Sequence, residues 1–160
     1  MHKAVSIIVR SEDSIWISRR QGKGLNNFDS LLQVAGGTVE PLDSSNAVAA
    51  ARELGEEMGR NLRDAALQAG LAQRHVQQFV KPNGQPYETT TYLTVVPYYI
   101  AKPVDQEPWA AGPWQLIPLN DVVTKYTSSD FVPGLHSQLR SIHREMLIAH
   151  SLAGPWVERT

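Results

Sequence analysis

The chain contains no cysteine among its 160 residues, which excludes a disulfide scaffold, thiolate-held zinc and a thiol nucleophile. No stretch approaches the roughly 18 apolar residues of a membrane span. The opening MHKAVSIIVRSED holds an apolar run of only about five residues, too short for a signal peptide. A cytoplasmic protein with no membrane partner is therefore expected. An excess of positive charge is also lacking: 15 Lys and Arg stand against 16 Asp and Glu, for a formal net charge of −1. Without a basic field there is little to hold a nucleic-acid polymer, so a nucleotide partner is expected to be small. The five histidines show no metal-ligand spacing, and His136, His143 and His150, seven residues apart, are expected to share one polar helix face. There is no repeat, linker or low-complexity tract. One domain spanning residues 1–160 is expected, long enough to bury about 70% of its unfolded surface.

The chain interleaves strand and helix signals. Ala4 to Val9 and Ser14 to Ser18 are β-branched and apolar and flank a polar turn, so they read as two strands. Leu31 to Ala35 predicts a third. Gln73 to Lys81 and Tyr87 to Lys102 flank Asn83-Gly84, a strong hairpin signal, with Pro97 marking a bulge or an edge. Trp114 to Leu119 predicts a further strand. Helices are expected at Asn61 to Leu71, Asn120 to Tyr126 and Val132 to Leu152, the last with Leu135, Leu139, Ile142, Met146 and Ala149 on its apolar face. This alternation indicates a mixed α/β domain.

The 24 residues from Gly36 to Gly59 carry the chemistry. A glycine pair and a short extended piece lead to an Asp-Ser-Ser helix start, followed by an amphipathic helix. Its spacing puts Ala47, Ala51, Leu54 and Met58 on the expected buried stripe and Glu53, Glu56 and Glu57 on the opposite face. Three carboxylates at i, i+3 and i+4 repel by a few tenths of a kcal/mol per pair. Arg52 can pair with Glu56 but cannot neutralise all three. A hard divalent cation, Mg²⁺ or Mn²⁺, would do so, since such ions prefer carboxylate oxygen; a solvated acidic face is the plain alternative. Arg20 and Lys23, on or beside a Gly- and Asn-rich loop, are candidates to hold a phosphate. Glu88 is a candidate extra carboxylate, and Phe131 and Trp114 could stack on a base or pack in the core.

The run R-E-L-G-E-E-M-G at Arg52 to Gly59, preceded by Gly36-Gly37 and Val39-Glu40-Pro41, resembles the box of the Nudix hydrolases, G-x5-E-x7-R-E-U-x-E-E-x-G-U, with U aliphatic. The box's first Glu falls on Asp43 counted from Gly37 and on Ser44 counted back from Arg52, so one residue is inserted and that Glu is absent. Leu42, Ala35 and Arg60 also depart from the pattern. The run EPWAAGPWQLIPLNDV resembles the MutT-type branch, whose members hydrolyse nucleoside triphosphates. Ala110 and Ala111 stand where that branch carries a further metal-binding Glu, leaving Glu107 or Glu88 for the role, and Leu135 stands where it carries a base-contacting Asn.

The resemblance implies a mixed, twisted β-sheet between helices, with the box glutamates facing a cleft. It further implies metal-dependent cleavage of a nucleoside diphosphate linked to a second group, a nucleoside triphosphate being the first choice of substrate. Glu56, Glu57 and the Gly36 carbonyl are then the expected holders of Mg²⁺ or Mn²⁺. Glu53 would complete that site or take a proton from the attacking water; family members differ on which Glu, Glu57 included, is the base, and Arg52 would orient the glutamates. A silent nucleotide- or protein-binding module of the same fold, and an enzyme acting on a nucleotide sugar or dinucleoside polyphosphate, are the alternatives. A homodimer stays open.

Overall fold

The structure, a computed structural model, describes residues 2–20, 30–99, 102–104 and 112–158, with side chains described as far as residue 152. Its element order is β1 (His2–Ser11), β2 (Ser14–Arg19), β3 (Leu32–Gln33), β4 (Ala35–Thr38), α1 (Asn46–Met58), α2 (Arg60–Ala69), β5 (Ala72–Val80), β6 (Pro86–Val95), β7 (Gln115–Pro118), α3 (Leu119–Lys125) and α4 (Leu135–Glu158), with one 3-10 turn at Ser128–Asp130 before α4. The seven strands form one mixed sheet in the order β3-β2-β1-β6-β5, with β4 added to β1 and β7 to β2. β1 is its axis. It runs parallel to β6 from His2↔Tyr87 to Arg10↔Val95, and on its other edge pairs antiparallel first with β4 and then with β2.

Side-chain alternation along β1 divides the core into two layers. Val5, Ile7 and Val9 point to one face, where they meet Ala49, Ala50, Leu54 and Met58 of α1 and Leu62 and Ala66 of α2. Ile8 points to the other face and joins Ile15, Ile17, Leu119, Leu135, Leu139 and Ile142 beneath α3 and α4. This is the mixed sheet between helices that the resemblance implies, in a chain whose patterning indicates a mixed α/β domain.

Several elements differ from the sequence expectation for identifiable reasons. β6 ends at Val95 rather than running to Lys102. Val96 N donates the last ladder bond to Arg10 O, and Pro97, without an N–H, cannot continue it. The bulge lies instead in β5, between Gln73 and His75. The expected strand from Leu31 to Ala35 is divided, β3 pairing with β2 and β4 with β1. α4 begins only at Leu135, because Gly134 takes a φ of 84° that helix excludes. Its histidines do not form one polar face: His136 is buried, with Nε2 at 3.1 Å from Val122 O, and Ala149 is exposed.

The rotation of α1 also differs, and this positions the site. Ala49, Ala50, Leu54 and Met58 are buried, whereas Ala47 is exposed and Ala51 half-buried. The sheet-facing side therefore includes the angular positions of Glu53 and Glu57, one turn apart, while Glu56 points outward. Ser45 caps the helix, its hydroxyl accepting from Val48 N at 3.2 Å.

Candidate active site

Glu53 is 8% exposed despite its charge, and burying a carboxylate requires partners. The glycine pair makes room for it. A Cβ on Gly37 would lie 2.7 Å from Glu53 Oε2 and still closer to Oε1, and one on Gly36 would strike the Val5 carbonyl across the β1–β4 ladder. Only glycine at both positions lets β4 fit between β1 and this carboxylate. Beside it, Glu57 Oε2 accepts from Gly36 N at 3.3 Å. Of the two roles open to Trp114, base stacking and core packing, the structure shows the second. Its ring is 9% exposed within the α1 core layer, and Nε1 donates to Glu57 O at 3.1 Å, bracing the end of the helix.

Arg52 ties the turn ahead of α1 to the helix. Its Nε and Nη2 donate to the two oxygens of Asp43 at 3.1 and 2.9 Å. Nη2 also reaches Thr38 O at 2.9 Å, and Nη1 reaches Glu53 Oε1 at 3.1 Å and Glu56 Oε1 at 3.2 Å. The Arg52 hydrogen bonds hold the Asp43 carboxyl below the usual carboxylate range, with help from the Glu40 N–H. In turn, Asp43 first of all keeps Arg52 firmly protonated. The sequence reading left Asp43 without a role, because the inserted residue breaks the box register. The signal was there: an acid at the box spacing from Gly37, opposite an arginine.

The oxygens of Glu53, Glu56, Glu57 and the Gly36 backbone form a hard donor set suited to Mg²⁺ or Mn²⁺ and unsuited to soft metals. Glu57 already touches the Gly36 peptide, so these two donors are adjacent. Among the described residues no three carboxylates are gathered around one point, and Arg52 stands between Glu53 and Glu56. The donor chemistry fits a divalent cation that draws the carboxylates together.

The glycine pair also borders a cavity of about 290 Å³ on the α4 face of the sheet. Its floor follows the strand register: Gly36↔Ser6↔Thr91 in one row and Thr38↔Ala4↔Thr89↔Gln77 in the next. Ser6 Oγ and Thr91 Oγ1 share a 2.7 Å hydrogen bond. β4 and β5 are three strand spacings apart, roughly 14 Å, so the floor runs from the glycine pair toward Gln77. Arg20 lines the cavity, and Val132, Pro133 and Gln138 close it from the α4 layer. The sequence reading missed this floor; its only trace was the alternating hydroxyls of Thr89 and Thr91.

The remaining expectations divide. Phe131 is 3% exposed, stacked on His136 at 5.1 Å and edge-on to Tyr126, so its ring belongs to the core rather than to a base. Glu88 alternates with the cavity-lining Tyr87 and Thr89 and lies on the other face of β6, where it accepts from Gln78 Nε2 at 3.4 Å. Lys23 and Glu107 lie outside the described residues.

The NUDIX domain family model matches residues 1–135. No curated protein sequence matches the chain. Among solved structures, the MutT protein of Methanosarcina mazei Go1 superimposes with a TM-score of 0.67 at 16% identity, covering 90% of this chain and 94% of that one. The NUDIX domain of Shewanella oneidensis NrtR, complexed with ADP ribose, gives 0.66 at 18%, covering 91% and 87%. A bifunctional NMN adenylyltransferase/ADP ribose pyrophosphatase from Francisella tularensis, complexed with AMP and a Mn ion, gives 0.64 at 22%, covering 91% of this chain and 41% of that one. Among the described residues, no helix is long and apolar enough to cross a membrane.

Proposed function

This chain belongs to the NUDIX domain family, hydrolases of phosphoanhydride bonds, and from that premise we propose that it cleaves a nucleoside diphosphate linked to a second group, with a nucleoside triphosphate as first choice. One observation carries the reading: Gly36, which hydrogen-bonds Glu57, and Gly37, against which Glu53 packs, border the same cavity as Arg20, whose far side is lined by uncharged hydrogen-bonding side chains. That arrangement suits a ligand with a polyanionic end and a neutral, polar end. Divalent-metal use is general in the family, and AMP, ADP ribose and Mn are the ligands of the structural neighbours.

Glu56, Glu57 and the Gly36 carbonyl would hold a divalent cation, which supplies neutralisation of charge on the phosphate oxygens. Arg52 fixes the turn and the helix relative to each other, so that the carboxylates meet the polyphosphate in one geometry. Arg20 pairs with a phosphate oxygen from the β2 side. Glu53, buried against Gly37, takes the proton as water attacks phosphorus. The P–O bond to the leaving phosphate breaks, and nucleoside monophosphate and pyrophosphate leave when the substrate is a triphosphate. General-base groups contribute about 10²–10⁴ in rate, and stabilisation of charge on phosphorus supplies much of the remainder.

The test is pyrophosphate release from a panel of nucleoside triphosphates, with ADP-ribose hydrolysis assayed alongside, in Mg²⁺ or Mn²⁺. Wild type is expected to turn over at least one of them, and Glu57→Gln to lose about 10²-fold or more in kcat. Equal turnover by both proteins would remove the carboxylates from the mechanism, and turnover of nothing on the panel would overturn the reading.

A further inference from the structure

The end of the cavity away from Gly36 and Gly37 contains an uncompensated polar atom. Gln138 Oε1, on the first turn of α4, is buried and has no hydrogen-bond partner among the described residues, although its side chain lines the cavity. A buried acceptor without a donor is costly, so it persists where something else is gained. Facing it across the layers is Gln77 of β5, whose Oε1 lies over Gly134 at the entry to α4, 2.8 Å from where a Cβ would stand. Both amides also line a second cavity, of about 230 Å³, on the far side. They form a partition that closes the end of the site.

Resting on the function proposed above, we infer that Gln138 is a specificity-determining residue, and that it selects substrates whose base carries an exocyclic amino group. The amide, turned toward a bound base, exchanges an unmade hydrogen bond for one to an N–H donor. A base with a bare C–H at that edge leaves the acceptor unpaired, and one with a carbonyl is held only if the amide turns over to present Nε2. Discrimination follows, because a site built to accept a hydrogen bond disfavours the analogue that lacks it. The cavity lining supports a neutral partner. Its hydrogen-bonding groups near Gln138 are amides and hydroxyls, with Arg20 its charged member. At about 290 Å³ it lies at the small end of the roughly 300–1,000 Å³ of ligand sites, room for one nucleoside rather than two.

The experiment compares pairs that differ at the amino group, adenosine with purine riboside and cytidine with uridine. Each is titrated calorimetrically into the full chain, and each triphosphate is assayed for hydrolysis. Wild type is expected to favour the amino-bearing member of at least one pair by roughly tenfold, seen in KM rather than kcat. Gln138→Leu should bring that ratio close to one, and Gln138→Glu, which retains an acceptor, should preserve it. Thermal melting establishes that both variants fold. A wild-type ratio near one in both pairs, or a ratio unchanged in Gln138→Leu, overturns the assignment. The nucleoside titrations need no turnover, so they decide the role of Gln138 even if no triphosphate is hydrolysed, which would count against the proposed function instead.

Discussion

Asp43 shows how one residue can restore what an insertion removes. Its carboxylate is shorter than the Glu of the family box and stands one residue out of register from the arginine side, yet it meets Arg52 through two hydrogen bonds of 3.1 and 2.9 Å. Such paired bonds to a guanidinium are directional as well as strong, so the turn at 36–43 and the helix move as one body. Because the folded protein holds this carboxyl below its usual range, its contribution to stability is present above the ordinary carboxylate pKa of about 4 and disappears as pH falls through the lowered value. Asp43→Asn is expected to melt below wild type at pH 7, and the gap should close progressively as the pH falls below about 4. Hydrolysis should fall roughly tenfold, mainly in kcat, because the glutamates lose their common anchor. Melting temperature followed against pH for both proteins checks this, and a gap constant from neutral to strongly acidic pH would exclude the pair as its source. Motif spacing could not reveal the pairing, since it sees distance along the chain and not the reach of a side chain across a turn.

At the scale of elements, the sequence located nearly every strand and helix, and erred on which residues α1 and α4 turn inward. Asn83-Gly84 marks the β5–β6 hairpin, and Gly84 has a φ of 84° as the turn needs. Gly70, with a φ of 99°, stops α2. For α1, a count of apolar residues puts Ala47 and Ala51 inward and all three glutamates outward. The structure brings Glu53 inward because Arg52 compensates its charge and Gly37 yields the space, two conditions that periodicity does not register. Leu54 is common to both readings. Leu54→Ala, at a position with 0% exposure, should destabilise by about 2–5 kcal/mol, whereas Ala47→Ser at the exposed start of the helix should change stability by less than about 0.5 kcal/mol. Denaturant titration measures both, and similar losses at the two sites would restore the face expected from the sequence.

For the whole molecule, the carboxylates and glycines were legible because they lie within 24 consecutive residues, whereas the cavity was not, because its floor is assembled from β4, β1, β6 and β5 and its roof from the start of α4. Contacts of such sequence separation leave no local pattern; only the register of the sheet brings Thr38, Ala4, Thr89 and Gln77 into one row. The same assembly makes the proposed metal site a property of the folded state. Glu57 meets the Gly36 peptide only when α1 is docked on β4, so a cation held by both binds the native chain and not the unfolded one, and stabilises it by RT ln(1 + [L]/Kd). At a hundredfold excess over Kd that is about 2.7 kcal/mol, or roughly 5–10 °C in melting temperature for a chain of this size. Mn²⁺ is therefore expected to raise the melting temperature of wild type, and chelation to reverse the rise. Glu57→Gln should melt no lower than wild type without metal, since it removes one of three mutually repelling charges while an amide oxygen can still accept from Gly36 N, and it should lose most of the Mn²⁺ shift. A full shift in Glu57→Gln would place the cation elsewhere, and no shift in wild type at millimolar metal would leave the acidic cluster as solvated surface.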